Sequence, residues 1–240
     1  MKPETPSEKL FQLDRRDLFA LLALAVLAVI VLWPMLAAGE GMAPGMPGHD
    51  GRTQWYPWRA YAADWIGRGT LPLWNPDALC GTPFLGNAQS ALFYAPNLLF
   101  VVLPVHMAAR LVILLHLWAA LLFTYLLARA LNCNRPGAMA AAMAFGFGSA
   151  QLLRVPAGHW GVSCAIVWLP LIMLCAEALA RKPGWTLFGI GAMAVAMQVL
   201  SGVPQIVFIS GVAVAVYAIL RTVRRELAWP DRLRRWGAVA

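Results

Sequence analysis

The chain has 240 residues, of which 60% are hydrophobic and only 12% charged, with a mean hydropathy of +0.65. That excludes an ordinary soluble domain, which carries about a quarter charged residues. The net charge of +8 does not indicate nucleic acid, because the basic residues sit at the ends of apolar runs and not along one face.

The repeated apolar runs approach the ~20 residues needed to cross a bilayer. The first predicted span is 18–38, preceded by "DRRDLFALLAL". This opening also has the look of a twin-arginine export signal, but further spans follow it, so it reads as the first span. Five more spans are predicted at 107–131, 137–153, 161–180, 185–200 and 205–220. The third and fifth contain small residues (Gly137, Ala140, Ala141, Ala144; Gly189, Gly191, Ala194) that would let neighbouring helices approach closely. The expected fold is therefore an all-α integral membrane protein of about six transmembrane helices. A tail at 1–17 precedes the membrane domain at 18–220, and a basic segment at 221–240 follows it.

Charge sets the orientation. With a cytoplasmic N-terminus, most of the 19 lysines and arginines fall inside, among them Arg129, Arg135, Arg181, Lys182 and the arginines from Arg221 to Arg235. This satisfies the positive-inside rule. The loop at 39–106 and the turns at 154–160 and 201–204 then share the outer face. The closing segment "RTVRRELAWPDRLRRWGAVA" reads as a linker to a further span, so a longer reading frame is expected.

The outer loop is too long for a simple connector. Its start, "GEGMAPGMPGHDG", is too rich in glycine and proline for regular helix. The stretch "TQWYPWRAYAADWIGRG" then turns helical, with Trp58, Tyr61, Ala62 and Trp65 on one face and Arg59, Ala63 and Asp64 elsewhere. Such a helix should lie in the membrane interface, with Asp64 and Arg68 as an i,i+4 pair. The remainder is divided by prolines 72, 76, 83, 96 and 104 into turns and short helices. It carries Asn75, Asp77, Thr82, Asn87, Gln89 and Asn97 among apolar neighbours. These either satisfy one another or line a wet pocket.

Within the predicted spans, His116 reads as a neutral histidine bonded to another helix, and Glu177 as a partner of Arg181 at i+4. Cys80, Cys133, Cys164 and Cys175 match no zinc or redox spacing, and no disulfide is expected.

The run "QWYPWRAYAADWIGRGTLPLWNPDALCGTPFLGNAQSALFYAPNLLF" and the shorter "TYLLARAL", "AGHWG" and "SGVPQIVF" together resemble the YfhO-type family of bacterial membrane proteins. Those are similar in turn to GT-C-fold glycosyltransferases. The resemblance implies transfer of a sugar from a polyprenyl-phosphate-linked donor to a cell-envelope acceptor, at the outer face of the bacterial inner membrane. It places a catalytic aspartate after the first span, at Asp50. Gln54, Tyr56, Asn87, Gln89 and His159 match the polar positions around it. Arg110 and Arg154, at the outer ends of their spans, are candidates for the lipid phosphate. The chain departs from the family pattern at Val203, where relatives carry a histidine, and this weakens Gln205 as a site residue. It is also shorter than the dozen or so spans the family implies, so a missing C-terminal half is an expected partner, beside the lipid-linked donor and membrane lipids. One carboxylate and one or two histidines from separate loops signal a divalent metal only weakly, so His159 is left between phosphate donor and metal ligand. His49 competes with it. A lipid transporter or flippase, and a non-catalytic assembly subunit, stay open as alternatives.

Overall fold

The structure is a computed structural model that describes residues 13–39 and 49–227, with side chains up to residue 221. The N-terminal tail, the glycine/proline-rich start of the outer loop and most of the basic C-terminal segment lie outside the described residues. The described residues are all-α apart from one two-stranded hairpin. Five of their helical stretches are long and apolar enough to cross a membrane: Arg15–Leu36, Val105–Ala130, Arg135–Ala157, Trp160–Arg181 and Pro204–Arg221. The sixth, Trp185–Leu200, has 16 residues. At 1.5 Å per residue it rises about 24 Å, short of a ~30 Å hydrocarbon core. Its expected status as a full span is corrected to that.

Helix α1, Arg15–Leu36, begins on a capping box: Asp14 accepts from Arg16 N and Asp17 N, and Asp17 accepts from Asp14 N. Its buried stripe is Asp17, Ala20, Leu24, Ala28 and Leu32, at the helical repeat that presents one face. After it come α2 (Tyr56–Gly67), the hairpin β1–β2 (Trp74–Asn75, Thr82–Pro83) and the short α3 (Leu99–Val102). Then comes α4 (Val105–Ala130), which packs against α1, α5 and α9 and forms the centre of the bundle.

The third predicted span is interrupted. It runs as α5 (Arg135–Gly146), α6 (Ser149–Leu152) and α7 (Arg154–Ala157). Close approach to α4 comes from Ala138, Ala142 and Gly146. A Cβ on Gly146 would sit 2.5 Å from the Leu121 side chain. The expected Gly137, Ala140 and Ala144 lie on the exposed flank instead, one helical register away. The fourth span divides into α8 (Trp160–Ile166) and α9 (Trp168–Arg181). Pro170 has no N–H to give the Ile166 carbonyl, so the ladder breaks there. In α10 (Trp185–Leu200), Gly191 and Ala194 face inward while Gly189 has open space around it. The last helix, α11, runs Pro204–Leu227, beyond the predicted end at residue 220.

Two ionic knots close the end of the bundle away from the outer loop. Asp17, with no exposed side-chain surface, accepts from Tyr125 at 2.7 Å and pairs with Arg129 at 2.9 Å and Arg135 at 3.3 Å. Arg135 also pairs with Asp14. Glu177 pairs with Arg181 at 2.6 Å, as expected, but also with Arg221 at 2.7 Å and with the Tyr217 hydroxyl at 2.6 Å. Arg181 donates onward to the Ala130 carbonyl, joining the end of α4 to α9. All four cysteines are free.

Candidate functional site

Asp50 and His159 come from loops more than a hundred residues apart and meet with His159 Nε2 3.2 Å from Asp50 Oδ2. Asp50 precedes a wide π turn, Gly51–Trp55, that runs directly into α2. Pro57 lacks the N–H that regular α-helix would direct to the Thr53 carbonyl, and such wide turns recur at functional sites. His159 follows Gly158, which ends α7 in a left-handed conformation at φ 76°. A Cβ on Gly158 would lie 2.2 Å from the Gly51 nitrogen. The two loops therefore touch backbone to backbone, and that contact sets the carboxylate beside the imidazole. Both side chains stay about half exposed, at 55% and 44%, so the pair is open to a ligand.

Gly158→Ala would meet both the backbone preference and the Gly51 contact. The expected cost is about 2 kcal/mol, read as a lowered thermal midpoint of the detergent-solubilised protein. Gly189→Ala, in open space, should leave the midpoint unchanged or raise it. Equal midpoints for the two variants would show that the loop contact is not tight.

Two more glycines seat the outer loop on the bundle. A Cβ on Gly161 would lie 2.2 Å from the Trp55 ring, and one on Gly202, at φ +83°, would lie 2.1 Å from the Ala88 carbonyl oxygen. Near that second contact Gln54 Nε2 donates to Gln89 Oε1 at 3.0 Å. Asn87 accepts from Gln89 N at 3.0 Å and so caps its own short turn. Gln54 and Gln89 are thus bonded to each other, in the same loop as Asp50. Tyr56 is half-buried against the core.

The face that α2 turns into the protein carries Arg59 and Ala62, with Trp55 of the preceding turn in line with them, while Trp58, Tyr61 and Trp65 lie half-buried on the flank. Arg59 is 6% exposed. Its guanidinium lies 5.5 Å from the Trp55 ring centroid, a cation–π contact, and donates to the Ser90 carbonyl. Burial pushes its pKa down to about 10, and it remains a cation at neutral pH. Among the described residues no carboxylate lies within ion-pair distance of it. The i,i+4 spacing from Trp55 was the only sequence signal for this face, and a charged residue argued against it. Asp64 and Arg68 form the expected i,i+4 pair at 2.7 Å on the exposed side.

Beneath Arg59 the loop is held by a buried polar chain. His116 Nδ1 lies 2.6 Å from the Val112 carbonyl, which makes it the protonated nitrogen. Its Nε2 then accepts from the Tyr94 hydroxyl at 2.5 Å, and that hydroxyl accepts from Trp168 Nε1 at 3.0 Å. Burial, foremost, raises the Tyr94 phenol pKa and keeps it neutral. The partner of His116 is thus the outer loop, not the neighbouring helix that was expected. Tyr94→Phe leaves His116 Nε2 and Trp168 Nε1 without partners inside the protein. It should cost about 1–3 kcal/mol, measured by thermal unfolding. No loss would mean that the chain contributes nothing to holding the loop.

Arg110 and Arg154 do not join the Asp50–His159 pair. Arg110 donates to the Gly39 carbonyl at 2.7 Å and the Leu36 carbonyl at 3.4 Å, closing the end of α1. Arg154 Nε donates to the Ala150 carbonyl at 2.7 Å. Four other side-chain donors on the segments meeting at Gly51 and Gly158 are buried without a partner: Arg52 Nε, Gln151 Nε2, Trp160 Nε1 and Ser163 Oγ. Sequence reasoning missed all four, since nothing in their spacing marks them. Asp50 and His159 could supply two ligands to a divalent ion. Among the described residues no group of three or more His, Cys, Asp or Glu comes together. No protein-family model, curated protein or solved structure matches this chain.

Proposed function

We propose that this chain takes part in outer-face transfer of a sugar from a polyprenyl-phosphate donor to a hydroxyl of the cell envelope, on a GT-C-like membrane scaffold. The observation that carries the reading is the Asp50–His159 pair, held at 3.2 Å between two loops and open to solvent. The orientation follows from charge: Arg129, Arg135, Arg181 and Arg221 gather at the opposite end of the bundle, the end that the positive-inside rule keeps in the cytoplasm.

In this mechanism His159 Nε2–H donates to Asp50 Oδ2 and leaves Oδ1 free for the acceptor hydroxyl. The carboxylate takes the hydroxyl proton as the acceptor oxygen bonds to the anomeric carbon. The bond from that carbon to the phosphate oxygen breaks, and the phosphate leaves with the electron pair. The charge that develops on the leaving phosphate is of the kind that cations or hydrogen-bond donors stabilise. No step requires a metal ion from the two ligands present. The test is transfer of radiolabelled sugar from polyprenyl-phosphate donors in membranes containing the chain. Failure of every such donor to label any envelope fraction would set the reading aside.

A further inference from the structure

The hairpin of the outer loop has the wrong residues for a turn in water. Its strands pair Trp74 with Pro83 and Asn75 with Thr82. The tip between them holds Leu79 at φ 51°, Cys80 at φ 61° and Gly81 at φ 109°. Left-handed positions in a solvated turn call for glycine, asparagine or aspartate. Here an apolar leucine occupies one and is 90% exposed. Backbone preference and water both oppose it, so this side chain has a use outside the protein's own core.

The surroundings of the tip are of the same kind. Leu71, Leu73, Trp74 and Leu85 are 51%, 60%, 54% and 40% exposed. The ring of Trp74 packs on Gly81, where a Cβ would come within 2.7 Å of it. From Gly69 to Val105 the only charged residue is Asp77. The loop leads on to α4, whose apolar length is suited to the bilayer.

We infer that the Trp74–Pro83 hairpin is a membrane wedge whose Leu79–Cys80 tip inserts into the outer leaflet at the boundary of headgroups and acyl chains. An apolar tip with almost no charge suits lipid, and the exposed Trp74 suits the aromatic zone of the interface. Asp77, exposed beside the tip, sets the depth. Its carboxylate must stay with headgroup water, which limits insertion to about 5–10 Å. This inference does not depend on the transfer chemistry.

Cys80 is exposed and supplies the probe. In a Cys133→Ser background, where the other two cysteines are buried, Cys80 is labelled with an environment-sensitive fluorophore. The full chain is then reconstituted into phosphatidylethanolamine–phosphatidylglycerol vesicles. The expected emission is blue-shifted, quenched by lipids carrying a nitroxide near the headgroup and about twofold less by nitroxides at the chain end. It should be insensitive to aqueous iodide. Leu79→Glu should at least halve the lipid quenching while leaving the thermal midpoint unchanged. Water-like emission with iodide quenching would overturn the wedge. So would blue-shifted emission that no lipid nitroxide quenches, which would mean that protein covers the tip.

Discussion

Asp50→Asn is expected to lower sugar transfer by about two to four orders of magnitude without loosening the outer loop. Asparagine keeps the size of aspartate, and its Oδ1 can still accept from His159, so the 3.2 Å contact need not open. What it lacks is an oxygen that can take the acceptor proton. His159→Gln should cost less, because it removes the group that orients the carboxylate and leaves the base in place. The two variants together should do little more harm than Asp50→Asn alone, since they act on one proton transfer. The loss should fall on kcat, with KM for the donor little changed. Normal turnover with asparagine, in protein of unchanged thermal midpoint, would remove Asp50 from the chemistry.

The second large effect lies at the opposite end of the molecule. Asp17→Ala is expected to destabilise the protein by about 3 kcal/mol, the lower part of the range for breaking a buried ion pair. Asp17 has no exposed side-chain surface, and its loss leaves Arg129, Arg135 and the Tyr125 hydroxyl without their shared acceptor. The arginines are 22% and 33% exposed, so water recovers part of the cost and the upper range is out of reach. The measurement is thermal unfolding in detergent. Asp17→Asn, which keeps an acceptor for Tyr125 and Arg129, should recover about a third of the loss. An unchanged midpoint in Asp17→Ala would show that α1 is held by its Ala20–Leu24–Ala28–Leu32 stripe alone.

These two sites were not equally legible. Asp50 and His159 were named through the resemblance, His159 as one of five positions matched around Asp50, on loops that charge placed on one face. The Glu177–Arg181 pair followed from spacing along one helix. Arg59 did not, because helical periodicity assigns a face by hydrophobicity and a buried arginine is invisible to it. Only the Ser90 carbonyl and the Trp55 ring, one of them from a distant turn, make its burial tolerable. The place of Arg110 at a span end suggested a phosphate; that its guanidinium reaches the Leu36 and Gly39 carbonyls at the end of α1 could not be read from spacing.

The sequence by itself determined the all-α class, the order of the helices and which loops share a face. Those depend on apolar length and charge placement, which are local properties summed along the chain. Contacts between distant segments were decided only by the tertiary structure. Glycines 158, 161 and 202 seat the outer loop because no Cβ fits beneath it. Ala138, Ala142 and Gly146 face α4 although other small residues were available nearby. Asp17 joins three helices because two arginines and a tyrosine reach it from α4 and α5. Such contacts depend on which surfaces approach within van der Waals distance, and a single chain read in order carries no measure of that distance.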